Sequence, residues 1–214
     1  MAKKIYSSPS SQPENLYKVG NTNEQEQCRK IAKALDKALN RCGFDSKTGL
    51  SGTMYTRVAE SNAFGADLHL PIHTNAFDGK VAGLRIMVYK LGGEAEKIAN
   101  AIMSYLAPIT PGTSDGISVQ PKLYEIRESN AICVYVEVGF HDNAEEARWI
   151  VDHTEEIAEA IAKGLCAYYG VKYVEETKIT IYRVQVGAFE NKANAERLAE
   201  KLKAEGYPTI IKAE

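Results

Sequence analysis

Two apolar stretches decide the fold: ADLHLPIHTNA at residues 66–76 and VYVEVGFHDN at residues 134–143. Each is typical of a buried strand that ends in imidazole, carboxylate or amide side chains. Ligands bind beyond the carboxyl ends of the strands in open α/β sheets. We therefore expect His73 and Glu137 to face one crevice, where an imidazole and two or more carboxylates would suit a metal ion with a carboxylate acid/base beside it.

Outward from these stretches, predicted strands alternate with predicted helices. Strands are expected at residues 4–6, 67–73, 83–89 and 131–138, with a short one at 124–126. Helices are expected at about residues 22–41, 57–64, 94–106 and 143–168. This alternation predicts the α/β class, with a mostly parallel, twisted sheet covered by helices on both faces.

The end of the chain is predicted to be a separate small module. We divide the chain into a main domain at residues 1–174, a polar linker at 175–179 and a module at 180–214. In the module, a strand over 179–186, a helix over 191–204 and a strand over 207–212 would form a βαβ-like unit. Such a unit cannot bury its own sheet face, so it needs the main domain or a second copy as a partner.

Composition excludes several functional classes. The chain has 214 residues and a net charge of −2, with no basic run, so we expect no nucleic-acid partner. No stretch reaches the length of a membrane-spanning helix, and no signal peptide is apparent, so we expect synthesis in the cytoplasm and no membrane partner. We expect reduced, buried thiols at the four cysteines, which are Cys28, Cys42, Cys133 and Cys166.

Glu137 carries the clearest chemical signal, since it lies within an apolar run. Its carboxylate must be paired, metal-bound or protonated, because burying an isolated carboxylate costs several kcal/mol. A salt bridge with Arg57 or Arg85 is the structural alternative. Glu24 starts the first predicted helix, where a carboxylate also simply favours the helix dipole.

The other histidines are less informative. His69 shares a face of its strand with His73 but stands about 13 Å away, too far to bind the same metal, and we expect it in the core. His141 either caps the last helix of the main domain or borders the crevice. His153 is expected on the surface of that helix.

Taken together, residues 1–173 resemble the zinc-dependent N-acetylmuramoyl-L-alanine amidases of the amidase-3 family, which includes phage endolysins and bacterial autolysins. Several separated motifs carry this resemblance: Glu24 with Cys28, Ile31 and Ala32; Arg57 with Ser61 and Asn62; residues 66–76; and residues 136–143. Their order and spacing match across nearly the whole catalytic domain of that family.

The resemblance implies a zinc ion held by Glu24 and His73, with Glu137 as the catalytic carboxylate. Asn75 would orient the substrate or hold the His73 loop. The family's first histidine ligand has no counterpart here, because residues 8–15 read SPSSQPEN. We expect Glu14 to be the third ligand, since carboxylates bind zinc well. Gln12 or Ser11 near the metal, through a water molecule, is the alternative.

The implied reaction is hydrolysis of the amide between N-acetylmuramic acid and the L-alanine of the peptidoglycan stem peptide. Zinc would activate water, and Glu137 would act as general base and then as general acid. One rival is a catalytically degenerate protein that only binds peptidoglycan. Another is a metal-free glycosidase that uses Glu24 and Glu137. An endolysin or autolysin made without a signal peptide would act on the cell wall after release.

Residues 181–212 resemble half of a SPOR-type peptidoglycan-binding domain. The carrying residues are the run 182–189 with Asn194, Ala195, Leu198, Leu202, Gly206 and Tyr207. The missing half would come from a second chain, which predicts a homodimer through the module. The alternative is a tail that docks on the amidase domain.

Overall fold

One mixed sheet organises the larger part of the molecule. In this computed structural model, which describes residues 2–177 and 184–213, its strands are β1 Lys4–Pro9, β2 Asp45–Thr48, β3 Leu68–Asn75, β4 Arg85–Val88, β5 Gly116–Val119, β6 Ile132–Cys133 and β7 Tyr135–Phe140. The order across the sheet is β2-β1-β3-β7-β4-β5, and β6 pairs with β3. These pairings are parallel apart from β4 with β7. The predicted mostly parallel α/β fold is confirmed.

Helices cover both faces of this sheet. They are α1 Glu24–Arg41, α2 Met54–Phe64, α3 Glu94–Leu106, α4 Tyr124–Glu128, α5 Ala144–Asp152 and α6 Thr154–Tyr169. Because side chains alternate along a strand, Ile5 joins the core that α1, α3 and α6 share, whereas Tyr6 faces the other way. On that second face, Tyr6 donates to Glu60 of α2, and His69 bonds to Glu125 of α4.

Three predicted elements differ from the structure. Residues 124–126, expected as a strand, begin α4, which packs against α2, so tertiary contacts override the strand preference of its Tyr and Ile residues. The expected strand at 131–138 is interrupted at Val134, giving β6 and β7. The expected long helix after residue 143 is broken at His153, whose backbone is not helical, giving α5 and α6.

The chain divides after Glu176 into two compact units. In the second unit, the predicted helix is present as α7 Lys192–Ala204, with the Asn191 side chain accepting from the Ala193 N–H at 2.9 Å. Neither residues 184–186 nor residues 207–212 form a strand, and residues 179–183 of the first predicted strand lie outside the described range. The described part of this unit therefore does not show the expected βαβ arrangement.

Two predictions made from composition can be compared with the structure. All four cysteines are buried and free of disulfide bonds, as expected for reduced thiols. Among the helices of residues 2–177 and 184–213, none has the length and apolar character needed to cross a membrane.

Gly164 permits the close packing of α6 against α3. A Cβ at this position would lie 2.7 Å from the Ile102 Cα atom and 2.8 Å from the carbonyl oxygen of Ala101, closer than van der Waals contact allows. Because these are backbone atoms, they cannot move aside as a side chain would. The absence of a side chain at Gly164 therefore sets the distance between the two helices.

Gly164→Ala should lower the free energy of unfolding by about 1–3 kcal/mol, since overpacking outweighs the better helix propensity of alanine, about 1 kcal/mol. Denaturant unfolding measures this. Gly116→Ala, at the start of β5, is the matched control, because its added methyl would meet open space. It should lower stability by less than about 0.5 kcal/mol. A Gly164→Ala chain as stable as the wild type would contradict this account of the packing.

Candidate active site

His73 and Glu24 form a buried pair at the carboxyl edge of the sheet. The Nδ1 atom of His73, near the end of β3, lies 2.8 Å from Glu24 Oε1 at the start of α1. Glu24 also accepts from the backbone N–H of Thr74 at 3.2 Å and from Asn15 Nδ2 at 2.6 Å. The imidazole ring stacks on Tyr135, with the ring centroids 4.6 Å apart. Both side chains are therefore held in position by several elements.

The role of Glu24 goes beyond starting a helix. The cap of α1 is Asn23, whose side-chain oxygen accepts from the Glu26 N–H at 3.0 Å. Glu24 itself is only 1% exposed and directs its carboxylate to His73. The interpretation of Glu24 as a helix-start residue alone is therefore insufficient.

The two groups of the pair stabilise each other's charged forms. Burial by itself would raise the pKa of Glu24, but the hydrogen bond and charge of His73 lower it below its ordinary value. Burial by itself would lower the pKa of His73, but the Glu24 hydrogen bond and the charges of Glu137, Glu24 and Glu125 raise it.

Glu137 lies beside this pair, because β7 and β3 align it directly with His73. Its Oε2 atom is buried and has no hydrogen-bond partner among the described residues. Arg57 and Arg85, the expected salt-bridge partners, donate to other oxygens instead. Burial raises the pKa of Glu137 to about 7, with His73 opposing the rise and Glu24 adding to it. A carboxyl group with such a pKa is suited to accept and return a proton near neutral pH.

Glu14, expected as a third metal ligand, does not join this cluster. Its side chain is exposed in the loop after β1. The next residue, Asn15, reaches Glu24 instead, with its backbone carbonyl accepting the Glu24 N–H at 2.9 Å and its amide bonding the carboxylate. Glu14 lies in a turn and Asn15 in the bend that follows it, and this path of the loop directs Asn15 to Glu24 while Glu14 stays exposed.

Asn75 ends β3 close to the pair. Its side-chain oxygen accepts from the N–H of Ala76 at 2.8 Å, and its backbone carbonyl accepts from the N–H of His141 at 2.8 Å. These contacts hold the turn that follows His73. A direct contact of Asn75 with substrate stays a prediction.

His141 neither caps the following helix nor faces the pair. It is buried, and its Nδ1 atom lies 3.1 Å from the Thr74 hydroxyl. The cap of α5 is Asn143, whose side chain accepts from the N–H groups of Glu145 and Glu146. His141 thus stabilises the end of β3 through its contact with Thr74.

Glu125 is the residue of this cluster that sequence reasoning missed. It is 4% exposed, accepts from the Ser8 hydroxyl and from His69 Nε2 at 3.1 Å, and lies 3.9 Å from His73 Nε2. The sequence feature that could have revealed Glu125 was a glutamate between Tyr124 and Ile126, but these residues were expected to form a strand. His69 is buried as expected, yet it serves this carboxylate as well as the core.

The donor chemistry of this cluster fits a divalent metal ion in part. Glu24 and His73 present a carboxylate oxygen and an imidazole nitrogen to one another, and both are common zinc ligands. The partnerless oxygen of Glu137 adds negative charge that a cation would offset. Within residues 2–177 and 184–213, however, no three His, Cys, Asp or Glu side chains are already arranged as a metal site. Glu24 and His73 therefore stay predicted ligands, and the third ligand is not identified.

Comparison with known proteins identifies the family. The sequence profile described as Amidase_3, N-acetylmuramoyl-L-alanine amidase, matches residues 12–167. The chain belongs to this amidase family. The matched range includes Glu24, His73 and Glu137, and a second profile, described as SPOR domain, matches residues 179–214. Both resemblances expected from the sequence are confirmed at the level of the family.

Curated amidases of Bacillus are similar to most of the chain. The N-acetylmuramoyl-L-alanine amidase CwlM of Bacillus licheniformis is 27% identical over 157 residues. A sporulation-specific N-acetylmuramoyl-L-alanine amidase of Bacillus subtilis (strain 168) is 28% identical over 158 residues. Each alignment covers 72% of this chain and 60% of the relative, so the chain spans about three fifths of the length of these amidases.

Solved structures of amidases share the fold. The catalytic domain of the amidase CwlV from Bacillus (Paenibacillus) polymyxa var. colistinus matches with a TM-score of 0.70 at 20% identity, covering 79% of this chain and 99% of that domain. The amidase AmiC2 of Nostoc punctiforme matches with a TM-score of 0.68 at 20% identity, covering 78% of this chain and 97% of that structure. The architecture of the amidase unit is therefore that of known amidases.

Asn15→Ala should lower the free energy of unfolding by about 1–3 kcal/mol, because the buried Glu24 carboxylate loses a charge-assisted hydrogen bond. Glu14→Ala is the matched control one residue away. It should change stability by less than about 0.5 kcal/mol, since its side chain is exposed. Denaturant unfolding of the metal-free protein measures both. A larger loss for Glu14→Ala than for Asn15→Ala would contradict this placement of the loop.

Proposed function

We propose that this chain is a zinc-dependent peptidoglycan amidase that hydrolyses the bond between N-acetylmuramic acid and the L-alanine of the stem peptide. The observation that carries the proposal is the buried pair of Glu24 and His73, with the unpartnered Oε2 atom of Glu137 beside it. Membership of the amidase family supports the same reaction. An ion pair serving stability alone would not require a third acidic group next to it.

Glu24 and His73 would hold the zinc ion. When bound there, zinc would polarise the scissile carbonyl group and lower the pKa of the attacking water towards ~7. The contacts of Glu24 with Asn15 and Thr74 keep its carboxylate directed at His73. The stacking of His73 on Tyr135 limits rotation of the imidazole. The protein thus supplies a site that is largely pre-organised.

Glu137 performs the proton transfers. As the oxygen of water forms its bond to the carbonyl carbon, Glu137 takes a proton from that water. As the carbon–nitrogen bond breaks, Glu137 gives the same proton to the nitrogen of the departing L-alanine. The products are a free lactyl carboxylate and a free peptide amine. The pKa of about 7 suits both halves of this exchange.

The rival interpretations gain less support. A protein that only binds peptidoglycan would not need to retain Glu137 beside the paired Glu24 and His73. A glycosidase would require Glu24 to be available to a sugar, yet its carboxylate is already bonded to His73, Asn15 and Thr74. We therefore favour amide hydrolysis, with the cell wall as the site of action of an endolysin or autolysin.

We further propose that the C-terminal unit binds peptidoglycan and assembles with the same unit of a second chain. Its match to the SPOR family supports the binding role. No residue of α7 is buried, and large apolar side chains stay exposed, with Val184 at 86% and Ile210 at 95%. An apolar surface of this kind is typical of an interaction site. A second copy carries the same surface, so a symmetric pairing would cover both.

Glu137→Gln should lower the rate of cell-wall digestion by about 10²–10⁴-fold, because the proton acceptor is lost while the size of the side chain is kept. Digestion of purified peptidoglycan by the zinc-loaded chain should release new peptide amines without new reducing sugars. A chelator should stop the reaction, and added zinc should restore it.

Glu60→Gln is the matched control for this test, since Glu60 bonds to Tyr6 in the layer of α2 and has no role in the proposed chemistry. It should keep the wild-type rate. Undiminished digestion by Glu137→Gln would overturn the assignment of that residue. New reducing sugars in place of amines would indicate a glycosidase.

The proposed dimer predicts a solution mass of twice the 23.5 kDa of one chain. Ile210→Glu should shift the mass towards that of the monomer, since it places a charge on the exposed apolar surface. Ile109→Glu, at an exposed isoleucine of the amidase unit, is the control and should leave the mass unchanged. Light scattering after size-exclusion chromatography measures both. A monomeric wild type at high concentration would contradict pairing.

A further inference from the structure

Glu125 occupies a buried position that the proposed chemistry does not yet explain. It projects from α4, and one of its oxygens, Oε1, accepts from both the Ser8 hydroxyl of β1 and the Nε2 atom of His69 on β3. Its second oxygen, Oε2, is the one nearest to His73, 3.9 Å from the Nε2 atom. Two donors therefore fix one end of the carboxylate and leave the other directed at His73.

His73 is consequently bracketed by two carboxylates. Glu24 faces Nδ1 at 2.8 Å, and Glu125 faces Nε2 on the other side of the ring. A movement of about 1 Å would bring Glu125 Oε2 and His73 Nε2 to hydrogen-bond distance. The ring is already held in this orientation by its stacking on Tyr135.

Glu125 is on the wrong side of the ring to share a metal ion with Glu24. An ion bound to Nδ1 of His73 lies on the Glu24 side, whereas Glu125 meets the opposite nitrogen. A carboxylate in that position is the common partner for the second ring nitrogen of a histidine that binds a metal, where it fixes the orientation of the ring and raises its basicity. The geometry therefore indicates orientation of a ligand and excludes direct ligation beside Glu24.

We propose that Glu125 is a positioning residue that accepts the Nε2–H of His73 and thereby leaves Nδ1 as the nitrogen that faces Glu24 and the metal. This inference rests on the proposed function of His73 as a zinc ligand. Ser8 and His69 are the donors that hold Glu125 for this task.

Glu125→Gln tests the proposal with little change of shape. The carboxylate accepts at both oxygens, whereas an amide accepts at one end and donates at the other. With the amide nitrogen towards His73, a donor meets the Nε2–H. With the amide nitrogen towards Ser8 and His69, a donor meets the imidazole N–H. Either orientation therefore loses one of the present contacts.

The affinity for zinc, measured by competition with a chromogenic chelator, should fall by about 10–100-fold in Glu125→Gln. The control Glu60→Gln makes the same chemical change on the same face of the sheet without a contact to His73, and it should bind zinc within about twofold of the wild type. Thermal unfolding of each variant shows whether it is folded.

A second measurement detects the proposed hydrogen bond from His73 Nε2–H to Glu125 directly. In the metal-free wild type in mildly acidic buffer, NMR should show a slowly exchanging, downfield Nε2–H signal from His73. This signal should persist in Glu60→Gln and disappear in Glu125→Leu, whose side chain has no hydrogen-bond acceptor. A merely structural role for Glu125 would not remove this one signal from a chain that remains folded.

The outcomes separate the two proposals. Wild-type zinc affinity in Glu125→Gln, or an unchanged Nε2–H signal in Glu125→Leu, would overturn the positioning role. Should these variants fail to fold, the wild-type spectrum decides, because a fast-exchanging Nε2–H also overturns it. A wild type that binds no zinc overturns the proposed function, while the N–H signal still decides whether Glu125 holds His73.

Discussion

The buried contact between Glu24 and His73 is the interaction on which the rest of the site depends. It joins the first turn of α1 to the end of β3, two segments that are distant in sequence. A carboxylate and an imidazole withdrawn from water are tolerated only when each satisfies the other, since an isolated buried charge costs several kcal/mol. The surrounding contacts from Asn15, Thr74 and Tyr135 serve to keep that pairing intact.

The topology of the sheet explains why these groups meet. β1, β3 and β7 are parallel neighbours, so their carboxyl ends share one edge. The alignment of β3 with β7 puts Glu137 next to His73 without any contribution from a loop. Beyond this point β7 contains one extra residue, since His73 to Asn75 aligns with Glu137 to Phe140. Such bulges are frequent beside active sites, where they change the direction of a strand.

Sequence patterns were sufficient for the elements with strong periodicity and for the residues at strand ends. The mostly parallel sheet, α1 and the helix of the C-terminal unit follow from apolar spacing, and His73 and Glu137 follow from their place beyond or within apolar runs. The roles of Asn15 and Glu125 could not be predicted in this way. Which residue of the loop turns inward depends on its backbone path, and α4 is short enough for its contacts with α2 to override local preference.

The chain thus combines a pre-organised acidic and imidazole site with a family assignment that points to amide hydrolysis. The most direct test of this account is a crystal structure of the zinc-soaked protein, with anomalous scattering used to locate the metal. We predict one zinc ion in contact with Glu24 and with Nδ1 of His73, next to Glu137. An ion bound elsewhere, or His73 turned away from Glu24 with no metal between them, would contradict it.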